Sequence, residues 1–124
     1  MTENNTAKPA NKGITRLVRA FGYSVDGLKS TFAREAAFRQ EAVAALVLVP
    51  LSFFVTGDGI ERALLIAVVL LVMIVELLNS AIEAVVDRAG LERHPLAKHA
   101  KDAGSAAVLM ALILAGIVWL AVLT

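Results

Sequence analysis

One stretch of this sequence sets acids among apolar residues. Glu76, Asn79, Ser80, Glu83 and Asp87 alternate with Leu77, Leu78, Ala81, Ile82, Val85 and Val86. At about 100° per residue in an α-helix, Glu76, Asn79, Glu83 and Asp87 fall within an arc of roughly 80°, with Ser80 at its edge. Carboxylates crowded on one stripe repel each other, and protons or a cation must offset that repulsion. Other polar groups flank the apolar segments. Glu35, Arg39, Gln40 and Glu41 stand at the start of one, and Lys101 and Asp102 just before another. Carboxylates with Mg²⁺ and a lysine suit a nucleotide polyphosphate. A carboxylate set slightly deeper suits removal of a proton from a lipid hydroxyl. The pattern suggests phosphoryl transfer. Neither a GxxxxGK[ST] loop nor the HRD and DFG motifs of protein kinases is present, so it would belong to another class.

The elements that must hold these residues follow from composition. The chain has 124 residues, is 58% hydrophobic and 19% charged, and has a mean hydropathy of +0.73. Soluble domains average about 45–50% apolar and about 25% charged, and a chain this short has much surface for its volume. A soluble monomer is therefore disfavoured and an all-α membrane protein expected. There are no cysteines, which excludes disulfides, thiolate metal sites and a cysteine nucleophile.

Three apolar segments are long enough to cross a bilayer, which needs about 20 residues. The first spans about 36–55. Its apolar heart from Ala42 is short, so Arg39, Gln40 and Glu41 must lie at headgroup depth, and Pro50 could kink it. Thr56-Gly57-Asp58-Gly59 is a tight turn that folds the first two segments into a hairpin. The second spans about 60–86 and has to continue through Glu76, because Ala63–Val75 alone is too short. The third, about 103–123, carries no formal charge, and Ala103, Gly104, Ser105, Ala106 and Ala107 keep its first turns small enough for close helix approach.

Residues 1–12 are polar, lack the apolar run of a signal peptide and read as a disordered tail. Over 13–34, Ile14, Leu17, Val18, Phe21, Val25, Leu28 and Phe32 recur at helical steps, with Arg16, Arg19, Asp26 and Lys29 mostly off the stripe. This reads as an amphipathic helix lying on the membrane surface, with a bend near Tyr23 beside Gly22 and Gly27. A helix packed on a soluble partner is the alternative. Residues 35–124 form the three-helix unit. Of the 12 Lys and Arg, seven lie before the first span or, for Arg39, at its very start, one (Arg62) lies at its turn, four lie between spans two and three, and none follows span three. The positive-inside rule puts the N-terminus in the cytoplasm and the C-terminus outside.

A charge inside the membrane marks function more often than accident. A solvated helix end explains Asp87 well and Glu83 tolerably, but Glu76 poorly, because Leu77, Leu78, Ala81 and Ile82 follow it. The run Glu76-Leu77-Leu78-Asn79-Ser80-Ala81-Ile82-Glu83-Ala84-Val85-Val86-Asp87 resembles the signature of prokaryotic integral-membrane diacylglycerol kinases. Glu35–Glu41 (EAAFRQE) and Ala100–Val108 (AKDAGSAAV) are similar to two further blocks of that family, in the same order.

The resemblance implies a homotrimeric inner-membrane enzyme with three transmembrane helices and one surface helix. It would transfer the γ-phosphate of MgATP to diacylglycerol, giving phosphatidic acid, at sites shared between subunits. It makes Glu76 the catalytic base, Glu35 and Glu83 the carboxylates that hold Mg²⁺ on ATP, and Asn79 a support for that cluster. Lys101 and Asp102 become the pair at the phosphate end, with Lys101 neutralising charge on the transferred group. Arg16 and Tyr23 match nucleotide contacts on the surface helix. Glu92, Arg93 and His94 match the loop that meets base and ribose. Phe38, Arg39, Gln40, Glu41, Arg62 and Ser105 match positions lining the lipid site, along with Arg16, Lys29, Glu76 and Trp119.

Plainer roles exist for several of these. His94 before Pro95 could end a loop. Trp119 could anchor the outer interface, Tyr23 could sit at the headgroups and Arg62 could cap the far side. Arg16 and Arg19 would attract anionic lipid in any case. The chain departs from the family at Lys98, where a small residue is expected, and its N-terminal tail is longer than typical. An undecaprenol kinase shares the fold and core motif. A small cation-coupled transporter also carries membrane carboxylates, but it does not call for Lys101-Asp102 beside an interfacial cluster. A non-catalytic scaffold gives no reason for the acidic stripe. No nucleic-acid partner is expected.

Overall fold

The computed structural model describes residues 9–90 and 92–124, with side chains from residue 12 onward. It is all-helical. The order is α1 (Pro9–Arg34), α2 (Ala36–Val55), α3 (Gly59–Ala89) and α4 (Pro95–Leu123). The last three are long and apolar enough to cross a membrane.

α3 is the centre. It packs along α4 and, less extensively, along α2. Its 31 residues give a length of about 46 Å, well beyond the roughly 30 Å hydrocarbon thickness, so one end must reach past the acyl chains. Leu65, Val68, Val69 and Val72 are buried on its packed face, and Glu76 and Asn79 continue that face. Much of the apolar surface elsewhere is exposed in the single chain, including Leu46, Phe54 and Met110. Such surface requires lipid or further protein around it.

The expected hairpin is present, and its turn is held by side chains. Asp58 caps α3, its Oδ1 accepting from the Ile60 N–H at 2.9 Å. Thr56 Oγ1 accepts from the Asp58 N–H at 3.1 Å and donates to Glu61 Oε2 at 2.6 Å. α2 passes through Pro50 without a break, with Ser52 Oγ donating back to the Val49 carbonyl at 2.6 Å.

Three boundaries differ from the sequence reading. α1 begins at Pro9 rather than Gly13, so residues 9–12 belong to a helix and not to the expected tail. Proline suits a first helical turn because its φ is preset and its missing N–H would be unpaired there anyway. Residues 1–8 of that tail lie outside the described residues. α1 also runs unbroken through Gly22 and Gly27, near the bend expected at Tyr23. α4 begins at Pro95, two turns before the expected Ala103, because His94 caps it: its Nδ1 accepts from the Leu96 N–H at 3.1 Å. α3 ends at Ala89 and is capped by Gly90, whose φ of 148° is one that side-chain-bearing residues rarely adopt.

Candidate functional site

The acidic stripe runs from the packing outward: Glu76 and Asn79 lie inside it, Glu83 is half-buried and Asp87 is exposed. Glu76 is 5% exposed and Asn79 9% exposed. Glu35 and Glu83 lie close enough to Glu76 to act on it electrostatically, and the Glu41 carboxyl reaches it from α2. One oxygen of Glu41, Oε2, is buried without a hydrogen-bond partner.

Two elements bring this about. Glu35 sits at the break between α1 and α2, with extended φ and ψ of −111° and 109°. Its side chain makes no cap on its own helix. Instead its carboxylate crosses to α3, where it accepts from Ser80 Oγ at 3.2 Å. On α3, Asn79 and Glu83 are one turn apart, and Asn79 Nδ2 donates to Glu83 Oε1 at 3.4 Å. Ser80 is the partner of Glu35 on α3, and the sequence reading left it without a role. Its signal was available: it is four residues beyond Glu76, on the same side of the helix.

No cluster of three or more His, Asp or Glu side chains is set to hold an ion by itself, among the described residues. The donor set nonetheless suits Mg²⁺, which is normally held by one or two carboxylates together with substrate phosphates. The two carboxylates the sequence reading assigned to it come from different parts of the chain, Glu35 from the α1–α2 joint and Glu83 from α3.

Beyond the stripe lies a polar cleft of about 740 Å³, with Asp87, Glu92, Arg93, His94, Lys98 and Lys101 in its lining. Two ion pairs involve its lining residues. Lys101 Nζ meets Asp87 Oδ1 at 2.7 Å, joining α4 to α3. Lys98 Nζ meets Asp102 Oδ2 at 2.5 Å, one turn apart on α4. Lys101 and Asp102 therefore pair separately in the single chain. Adjacent helical residues point about 100° apart, and each takes a different partner. His94 serves as the α4 cap while also lining this cleft.

A second cavity, about 310 Å³ and almost wholly apolar, runs between α2, α3 and α4. Glu41 stands at its polar end, Leu48, Val69, Val72 and Leu112 line it, and Trp119 closes it. Trp119 Nε1 donates to the Leu65 carbonyl at 3.3 Å.

The remaining sequence-predicted residues are spread out. Phe38 is buried and Gln40 exposed on α2. Arg39 turns back to the end of α1, its Nη1 donating to the carbonyls of Phe32 at 2.8 Å and Ala33 at 3.1 Å. Arg62 belongs to the hairpin turn, where Nη2 donates to the Thr56 carbonyl at 3.2 Å and the guanidinium lies 4.5 Å over the Phe53 ring. Along α3 that is about 21 Å from Glu76, so one chain does not bring the two together. Arg16, Tyr23 and Lys29 are exposed on α1, and Ser105 is exposed on α4.

The chain is similar in sequence to known proteins over most of its length. The profile of the prokaryotic diacylglycerol kinase family matches residues 22–123. A diacylglycerol kinase of Escherichia coli K12 is 56% identical over 116 residues, covering 94% of this chain and 91% of that protein. One from Haemophilus influenzae is 55% identical over 107 residues, covering 86% and 91%. One from Pseudomonas aeruginosa is 53% identical over 111 residues, covering 90% of each.

Proposed function

The chain belongs to the prokaryotic diacylglycerol kinase family, and from that premise we propose that it transfers the γ-phosphate of ATP to the hydroxyl of diacylglycerol, giving phosphatidic acid. The observation that carries this reading is the position of Glu76. It is a buried carboxylate flanked by Glu35 and Glu83; further along α3 in one direction Asp87 lines a polar cleft fit for a nucleotide, and in the other Val72 and Val69 line an apolar slot fit for an acyl chain.

Glu76 takes the proton from the lipid hydroxyl as that oxygen attacks the γ-phosphorus. The bond from the γ-phosphorus to the bridging oxygen breaks, and ADP leaves. Catalysis of such a transfer is mostly positioning and charge neutralisation. Lys101 meets the charge on the transferred group, releasing Asp87 as it does so. Asp102 orients groups at the same end. Glu35 and Glu83 would hold Mg²⁺, with Asn79 fixing Glu83; the ion, when bound, screens the phosphate oxygens from one another. Arg16, Tyr23, Glu92, Arg93 and His94 contact the nucleotide. Lys29, Phe38, Arg39, Gln40, Glu41, Arg62, Ser105 and Trp119 border the lipid.

The working form is a homotrimer in the bacterial inner membrane, with the N-terminus cytoplasmic and the C-terminus outside. Its support is the exposed apolar surface of α2 and α4 and the distance from Arg62 to Glu76, which a neighbouring subunit can bridge. α1 lies on the membrane surface with Ile14, Leu17, Val18 and Phe21, all exposed in the single chain, turned into it.

Offering diacylglycerol and undecaprenol in parallel with MgATP tests the assignment. Lipid-dependent ATP turnover with diacylglycerol is expected. Phosphorylation of the polyprenol alone would overturn the substrate, and absence of any lipid-dependent turnover would overturn the enzyme.

A further inference from the structure

Gly104 on α4 is buried against Asn79 on α3. A Cβ built on Gly104 would overlap Asn79 Oδ1, and the side-chain carbon behind it would lie at 3.3 Å. One Cα–H of Gly104 therefore occupies that direction and points at the amide oxygen. Oδ1 is buried and takes no conventional hydrogen bond. A Cα–H···O contact is weak, yet it places a polarised hydrogen against an oxygen with no hydrogen-bond donor among the described residues, and such contacts recur where helices approach closely.

We propose that Gly104 is a positioning residue of the kinase site, acting through Asn79. The absence of a side chain at 104 gives Oδ1 its seat. With the oxygen lodged there, the amide has one orientation left, and its nitrogen faces Glu83. The hydrogen bond from Nδ2 to Glu83 Oε1 is already long at 3.4 Å, so a small rotation of the amide removes it. A methyl group at 104 forces that rotation, because helix backbone stands behind both partners. Glu83 is then free to turn away from the position from which it meets the nucleotide's cation. The inference rests on the proposed role of Glu83 and Asn79.

A double-mutant cycle tests it, with two readouts: lipid-dependent turnover, and calorimetric affinity of the purified protein for the Mg²⁺ complex of a non-hydrolysable ATP analogue. Gly104→Ala is expected to weaken that affinity and raise the Mg²⁺ requirement by about 10- to 100-fold, the range for groups that orient a metal ligand. In an Asn79→Ala background the oxygen is gone, and adding Gly104→Ala should change neither quantity. Equal losses in both backgrounds would overturn the proposal, since Gly104 would then act on helix packing. A fall in turnover with unchanged affinity and Mg²⁺ requirement would overturn it too. If Gly104→Ala does not accumulate as folded protein, the double variant measured against Asn79→Ala decides: equal affinity supports the seat, lower affinity removes it. If Asn79→Ala alone matches the parent in both readouts, the reading of the Asn79–Glu83 pair fails and takes this inference with it.

Discussion

The charged groups of α3 and those at the start of α4 live under different physics. Glu76 and Asn79 are buried against neighbouring helices, where an unmatched polar group is costly and small displacements are strongly felt. Lys98, Asp102, Lys101 and Asp87 have side chains between 45% and 80% exposed, and their ion pairs are the kind that contribute little to stability and exchange readily. The comparison teaches a division of labour. On the proposed reading the buried set would hold a fixed position for proton removal, while the exposed set would part from its partners when phosphates arrive.

Breaking the buried side should have the largest effect. Glu76→Gln keeps size and shape but cannot accept the hydroxyl proton, so turnover should fall by about 100- to 10,000-fold, the usual worth of a general base. Helical content and oligomeric state should be unchanged; near-normal turnover would refute the assignment. Lys101→Met comes next. Loss of one cation at the developing charge should lower kcat by about 100-fold or more, with a smaller change in KM for diacylglycerol. A pure KM effect would make Lys101 a binding group only. Glu83→Gln should raise the Mg²⁺ concentration needed for half-maximal rate by about 10- to 100-fold, while leaving lipid affinity alone. An unchanged Mg²⁺ dependence would count against its metal role.

The exposed side should be far more tolerant. Asp87→Asn removes the resting partner of Lys101 and should leave the melting temperature in detergent essentially where it was. A large drop would show that the α3–α4 pair is structural. Lys98→Ala should have the smallest effect of the series, a modest change in KM for ATP that fades as salt is raised, as screening of exposed charges requires. A salt-independent change of the same size would place Lys98 inside the nucleotide contact.

Much of this was legible in the chain. The 100° repeat of Glu76, Asn79, Glu83 and Asp87 identified the polar face of α3, and Thr56-Gly57-Asp58-Gly59 identified the hairpin. The start of α4 was hidden, since Leu96-Ala97-Lys98-His99-Ala100-Lys101-Asp102 is polar enough to read as loop, and only the His94 cap reveals its helix. Pairings were hidden for a related reason. Lys101 and Asp102 are adjacent in sequence but diverge on the helix, and the partner of Lys101 lies across the α3–α4 connection. The family resemblance grouped Glu35 with Glu83 on α3, but spacing alone did not show that it would serve α3 instead of its own helix end, because that choice depends on where Ser80 arrives.

That choice at Glu35 has a mechanical side. The residue at the joint between α1 and α2 also offers its carboxylate to the centre of the bundle, while Arg39 clasps the last carbonyls of α1. Any tilt of α1 relative to the bundle turns the backbone of Glu35 and drags that carboxylate with it. Crowding or thinning of the surrounding leaflet would thus be felt at the reaction centre through a single pivot, with no relay of intervening side chains.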